Sequence, residues 1–172
     1  MDGPAHGVTN DYGYNQPSLA ISPLNIVAIG KPGSQNEIES HKTDKYYNTV
    51  GGAPIIVSGG QAVNLSCTYP YPGDTCSQSA QSAAGVTPDG HLILLTAQKN
   101  ASGMASYLIG FGVQTALKFD GGGSAQIAWV DSSGAVRSWG ATGEDQVAEG
   151  LLVFSQWRKT HFDLTIGGIV AD

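Results

Sequence analysis

Glycine sets the grain of this chain: 24 of its 172 residues are glycine, and they break the apolar sequence into short runs. Glycine weakens a helix interior by roughly 0.5–1 kcal/mol relative to alanine, and apolar runs of about four to eight residues between turn signals suit strands. Strands are therefore expected to dominate. One helix pattern stands out, at Ser102-Gly103-Met104-Ala105-Ser106-Tyr107-Leu108-Ile109, where Met104, Tyr107 and Leu108 share a face at spacings of three and four. Ser102 is the expected N-cap and Gly110 and Gly112 the expected stop.

The strand signals follow in order. Residues 24–29 read as a largely buried strand ended by Gly30, inside a stretch otherwise without periodicity. Residues 53–63 read as a hairpin around Gly59-Gly60, and residues 82–87 and 91–96 as a second one around Pro88-Asp89-Gly90, where proline presets the turn. Further strands are expected at 113–119, 125–130, 135–139 and 147–154, with one more in the tail at 161–170. No repeat of 20–50 residues recurs, which argues against a solenoid or propeller. The expected class is α+β, with packed mixed sheets and one or two short helices. The expected organisation is an extended N-terminal arm over residues 1–45 and a single domain over 46–172.

The surface chemistry narrows the partners. A formal charge of -6 with only 8 Lys and Arg gives no basic footprint for a phosphate backbone, so nucleic acid is excluded as a partner and a neutral or weakly polar ligand suits better. No transmembrane segment is expected, because no apolar stretch approaches the roughly 18 residues that a span requires. The start Met1-Asp2-Gly3-Pro4 lacks the basic and apolar regions of a signal peptide, so secretion by that route implies a different original start. His6, His41, His91 and His161 are scattered without metal-ligand spacing, so no metal site is assigned and any cofactor is left unknown. A nucleotide fingerprint is absent, since Gly121-Gly122-Gly123 leads into a strand rather than a helix. Trp129 and Trp139 sit in strand patterns and read as core, whereas Trp157, beside Arg158 and Lys159, reads as exposed.

Cys67 and Cys76 are separated by a Pro- and Gly-rich loop that can fold back on itself. That favours a disulfide, and with it an oxidising, extracellular setting; the alternative is two small buried apolar side chains that never meet.

The most informative feature is Lys118-Phe119-Asp120-Gly121-Gly122-Gly123-Ser124. A strand ending in a carboxylate and three glycines lets backbone approach a ligand without Cβ obstruction. The N–H groups of Gly121, Gly122, Gly123 and Ser124 can form an anion-binding concavity, and Asp120 can orient a hydroxyl, exchange a proton or act as nucleophile. By pattern alone, an ordinary Asp-Gly turn is the commoner outcome.

The surrounding sequence favours the site. Residues 83–95, then Ser102-Gly103-Met104 opening a helix, then Ala116-Leu117-Lys118-Phe119-Asp120-Gly121-Gly122-Gly123-Ser124, then Gly143-Glu144 leading to Gly150-Leu151-Leu152-Val153-Phe154, resemble the phosphodiester glycosidase family in order and spacing. Residues 52–60 resemble the preceding family strand, and the first 45 residues match only loosely, at residues 9–14. The cysteine pair just before Gln81 is similar to that of many bacterial members, which supports both the disulfide and an extracellular or cell-surface location.

The resemblance implies cleavage of a glycosidic bond to phosphate, with Asp120 catalytic and Gln81, Ser102, Gly121, Gly122, Gly123 and Ser124 binding a carbohydrate or sugar phosphodiester. The family usually has Arg where this chain has Gln81, and again after the Gly-Glu pair where it has Asp145, so two cations are missing. The competing expectation is therefore a catalytically degenerate copy that binds glycans or serves a surface assembly, self-associating through the N-terminal arm.

Overall fold

A computed structural model describes residues 17–22, 24–30, 48–67, 75–140, 151 and 153. Its order is β1 (Ser18–Ile21), β2 (Val27–Gly30), β3 (Asn48–Gly51), β4 (Ile55–Ser58), β5 (Gln61–Ala62), β6 (Ala80–Val86), β7 (Leu92–Gln98), α1 (Ala101–Gly110), β8 (Thr115–Gly121), a 3-10 turn (Gly122–Ser124), β9 (Gln126–Val130) and β10 (Val136–Gly140). The class is α+β, as the glycine-broken apolar runs require, with many strands and one α-helix described along its whole length.

Three sheets form: β2-β1-β3, β5-β4-β8-β6-β7, and the ribbon β10-β9. Every described strand pairing is antiparallel. Both expected hairpins are present, β4–β5 turning at Gly59-Gly60 and β6–β7 turning around Pro88-Asp89-Gly90. The strand expected at 24–29 starts later, at Val27, because Leu24, Asn25 and Ile26 belong to the β1–β2 connection. There the Ser22 hydroxyl oxygen accepts from the N–H groups of Leu24 and Ile26. Residues of the segment expected as an arm thus supply two strands to a sheet that β3 completes. The strands expected at 147–154 and 161–170, and Trp157, lie outside the described residues apart from Leu151 and Val153.

The five-stranded sheet is buried on both faces, because alternate residues of its central strands point to opposite sides. On one face, Ile56, Val57, Ala83 and Ala116 pack against Ala101, Met104, Ala105 and Leu108 of α1. On the other, Ala84, Val86 and Leu117 pack against Leu19 and Ile29 of the three-stranded sheet. The result is three layers, helix over sheet over sheet. Met104 and Leu108 are fully buried, and truncating such a side chain to alanine costs roughly 2–5 kcal/mol.

The helix starts earlier than its sequence suggested. Asn100, not Ser102, is the N-cap: its side-chain oxygen accepts from the Gly103 N–H at 2.9 Å, and Ser102 lies exposed in the first turn. Both residue types cap well, at about 1 kcal/mol. Tertiary packing decides between them, since starting at Ala101 adds a fourth buried position to the stripe of Met104, Ala105 and Leu108. Phe111 and Gly112 close the helix, and Val113 turns back into the core.

Candidate functional site

The register of β8 places its carboxylate. Ala83 pairs with Lys118, yet Gln81 pairs with Gly121, so β8 carries one extra residue opposite Ser82. This is a β-bulge at Phe119-Asp120, a distortion that re-aims a side chain at the end of a strand. The Ser82 hydroxyl fixes it by donating to the Asp120 carbonyl at 2.8 Å. Asp120 ends exposed, with Oδ1 accepting from the Gly121 N–H at 2.8 Å and Oδ2 left for a ligand.

Gln81 forms the floor beneath. It is 1% exposed and lies directly over Gly121: a Cβ on that glycine would sit 2.4 Å from Gln81 Oε1. Any larger residue at Gly121 would have to displace the Gln81 carboxamide, and Gly122 has a φ of 64° that favours glycine. Gln81 Nε2 donates to the Ser79 hydroxyl at 3.0 Å, and Ser79 in turn receives the Ser77 hydroxyl at 2.8 Å. Gln81 Oε1 is buried with no hydrogen-bond partner. This orphan acceptor carries a desolvation cost of about 1–3 kcal/mol.

Lys118 is also fully buried, on the same face of the sheet as Gln81, and its Nζ donates to the Phe119 carbonyl at 2.7 Å. The ammonium thus braces the bulged segment from beneath. Gly122, Gly123 and Ser124 form the 3-10 turn that follows, and the Gln126 amide ties it down by donating to the Gly123 carbonyl at 3.1 Å. The first N–H groups of such a turn have no acceptor within the turn itself, which suits them to an anion.

Ser102 reaches the same end of the sheet by another route. β7 ends at Gln98, opposite Ala80, and α1 begins at Ala101, so the helix starts beside the Gln81–Gly121 end. There Ser102 joins Ala62, Val63, Asn64, Leu65, Thr75, Cys76 and Asn100 around a cavity of about 330 Å³ whose described lining includes neither Asp120 nor Gln81. The structure therefore brings together Gln81, Asp120 and Gly121 with the 3-10 turn, and sets Ser102 in an adjoining recess. Cys67 and Cys76 are disulfide-bonded, with Cα atoms 5.7 Å apart, and the bond holds one wall of that recess.

Sequence reasoning missed Ser79, Ser82 and Lys118. Small polar residues flanking a strand end carry no distinctive spacing, and a lysine in an apolar strand reads as an outward-facing position. Gly143-Glu144 and Asp145 lie outside the described residues. The described residues contain no cluster of His, Cys, Asp or Glu able to hold a metal ion.

The other described acids stand at hairpin turns. Hydrogen bonds from Thr87 and then His91 lower the Asp89 carboxyl to about 2. The Ser133 hydroxyl and then Arg137 do the same to Asp131, also to about 2; Arg137 Nε donates to its Oδ2 at 2.8 Å. Both stabilise turns, Asp89 exposed and Asp131 half-buried, which leaves Asp120 as the described carboxylate at the glycine turn.

Comparison with known proteins agrees with this architecture. The model of the phosphodiester glycosidase family matches residues 8–154. Among solved structures, the chain is similar to the zebrafish N-acetylglucosamine-1-phosphodiester alpha-N-acetylglucosaminidase catalytic domain auto-inhibited by its pro-peptide, at a TM-score of 0.53 and 20% identity, covering 69% of this chain and 44% of that one. It therefore spans less than half of that domain's length. A hypothetical protein from Synechocystis aligns at a TM-score of 0.42 and 16% identity, over 66% of this chain and 29% of that one. No curated protein sequence matches. With a family model covering most of its length, the chain belongs to the phosphodiester glycosidase family.

Proposed function

We propose that the protein is an extracellular hydrolase of a sugar phosphodiester, with Asp120 as its catalytic carboxylate. The observation that carries this reading is the bulged end of β8, where an exposed carboxylate stands beside the N–H groups of the 3-10 turn. In this reading the turn receives the phosphate and Asp120 acts as general base on a water that attacks the anomeric carbon. The bond between that carbon and the phosphate oxygen breaks, and the water proton passes to Asp120. A phosphate monoester leaves as a stable anion near neutral pH, so the leaving group needs no second carboxylic acid behind it. This accounts for a site built on one described carboxylate. The disulfide suits an oxidising compartment.

The test is hydrolysis of glycosyl phosphodiesters carrying a chromogenic leaving group. The expected result is turnover by the native protein and none by Asp120→Asn, with an unchanged unfolding midpoint because Asp120 is exposed. Absence of hydrolysis above buffer across a range of sugars sinks the proposal.

The buried, neutral Gln81 beneath the turn favours a second reading, a copy that binds glycans without cleaving them. Its signature is sugar binding that survives in Asp120→Asn and no turnover in either protein.

A further inference from the structure

We infer that the recess between β5, the disulfide and the start of α1 is a second carbohydrate subsite, taking one uncharged pyranose unit of a chain whose neighbouring unit lies at Asp120. The inference rests on the carbohydrate reading above, though not on catalysis. Three observations carry it. The cavity, of about 330 Å³, falls at the lower end of the range of small-molecule sites, which suits a single ring. Its described lining holds no charged side chain: two carboxamides (Asn64, Asn100) and the exposed Ser102 hydroxyl stand against the apolar wall of Ala62, Val63 and Leu65. That is the chemistry of a pyranose, with hydroxyls in its plane and C–H groups on its faces.

The third observation is topological. The registers of β6 with β7 and of β6 with β8 put the start of α1 at the sheet end that carries Gly121, so the recess and the Asp120 turn lie at the same end of the sheet. Asn100 is half-committed, since its Oδ1 is bound by the Gly103 N–H, which leaves Nδ2 to donate to a sugar oxygen. Asn64 lies outside the regular elements and is exposed, so both ends of its carboxamide can turn to a ligand. The Cys67–Cys76 bond ties the segment after β5 to the helical residues Thr75 and Cys76 and so fixes the recess before any ligand arrives.

The experiment uses the full chain and the Asp120→Asn variant, titrated with neutral trisaccharides of glucose, mannose and N-acetylglucosamine and, separately, with glucose 1-phosphate. Amide chemical-shift mapping locates each ligand, and calorimetry gives Kd. The expected result is that at least one neutral trisaccharide shifts the amides of Asn64, Asn100 and Ser102, and that the same amides move in Asp120→Asn. Asn64→Ala should weaken that binding tenfold or more. Should Asn64→Ala fail to fold, the shift map in the unsubstituted chain decides alone. No neutral sugar shifting these amides at millimolar concentration overturns the subsite. Binding of glucose 1-phosphate alone, with shifts confined to residues 120–124, also overturns it while leaving the Asp120 proposal standing.

Discussion

Replacing Gly121 with alanine tests whether Gln81 is a fixed floor for the site. Gly121 has φ -132° and ψ -171°, an extended conformation that alanine adopts freely, so the substitution introduces no backbone strain. What it introduces is a methyl 2.4 Å from Gln81 Oε1, 2.9 Å from Cδ and 3.0 Å from Nε2. Gln81 is 1% exposed and tied to Ser79, so its carboxamide has no solvent to retreat into. Overpacking of this kind costs about 1–3 kcal/mol. For a chain of this size that lowers the melting temperature by roughly 2–4 °C per kcal/mol. Gln81→Ala removes the clashing group and the orphan acceptor together. The double variant should therefore be more stable than the sum of the single losses predicts, by at least about 1 kcal/mol. Urea unfolding of all four proteins closes the cycle. Additivity within about 0.5 kcal/mol would refute the reasoning, because it would mean that Gln81 swings clear and the buried carboxamide is not fixed.

Two other predictions concern what holds the frame. Asp131 titrates near 2 in the folded chain against 3.8 for the free group, so its contribution is complete above the unfolded value and is lost as pH falls through the folded one. Between about pH 5 and pH 2 the melting temperature should fall more steeply for the native protein than for Asp131→Asn, and equal slopes would contradict the assignment. The disulfide closes a short loop, with a sequence separation of 9, for which chain entropy gives roughly 2–3 kcal/mol. Paired Cys67→Ser and Cys76→Ser substitutions should lower stability by that amount in denaturant titrations. The same pair should weaken sugar binding at the adjoining recess.

The sequence by itself determined the class of fold and the position of the carboxylate. Short apolar runs between glycines admit little but strands, the Gly59-Gly60 and Pro88-Asp89-Gly90 turns admit little but hairpins, and Asp120 followed by three glycines is a local word that survives into the structure intact. What the sequence left open depends on contacts between distant residues. The choice of Asn100 over Ser102 as cap follows from the burial of Ala101 against the sheet. β1 is buried along most of its length, so it shows no alternation to read, and its partners lie on both sides of it in the sheet. The bulge that turns Asp120 outward exists only because Gln81 meets Gly121 across the ladder, a register that no run of residues encodes alone. Local propensity chose the elements, and only tertiary packing decided that Gln81, expected among the ligand-binding residues, and Lys118 would be buried beneath the Asp120 turn.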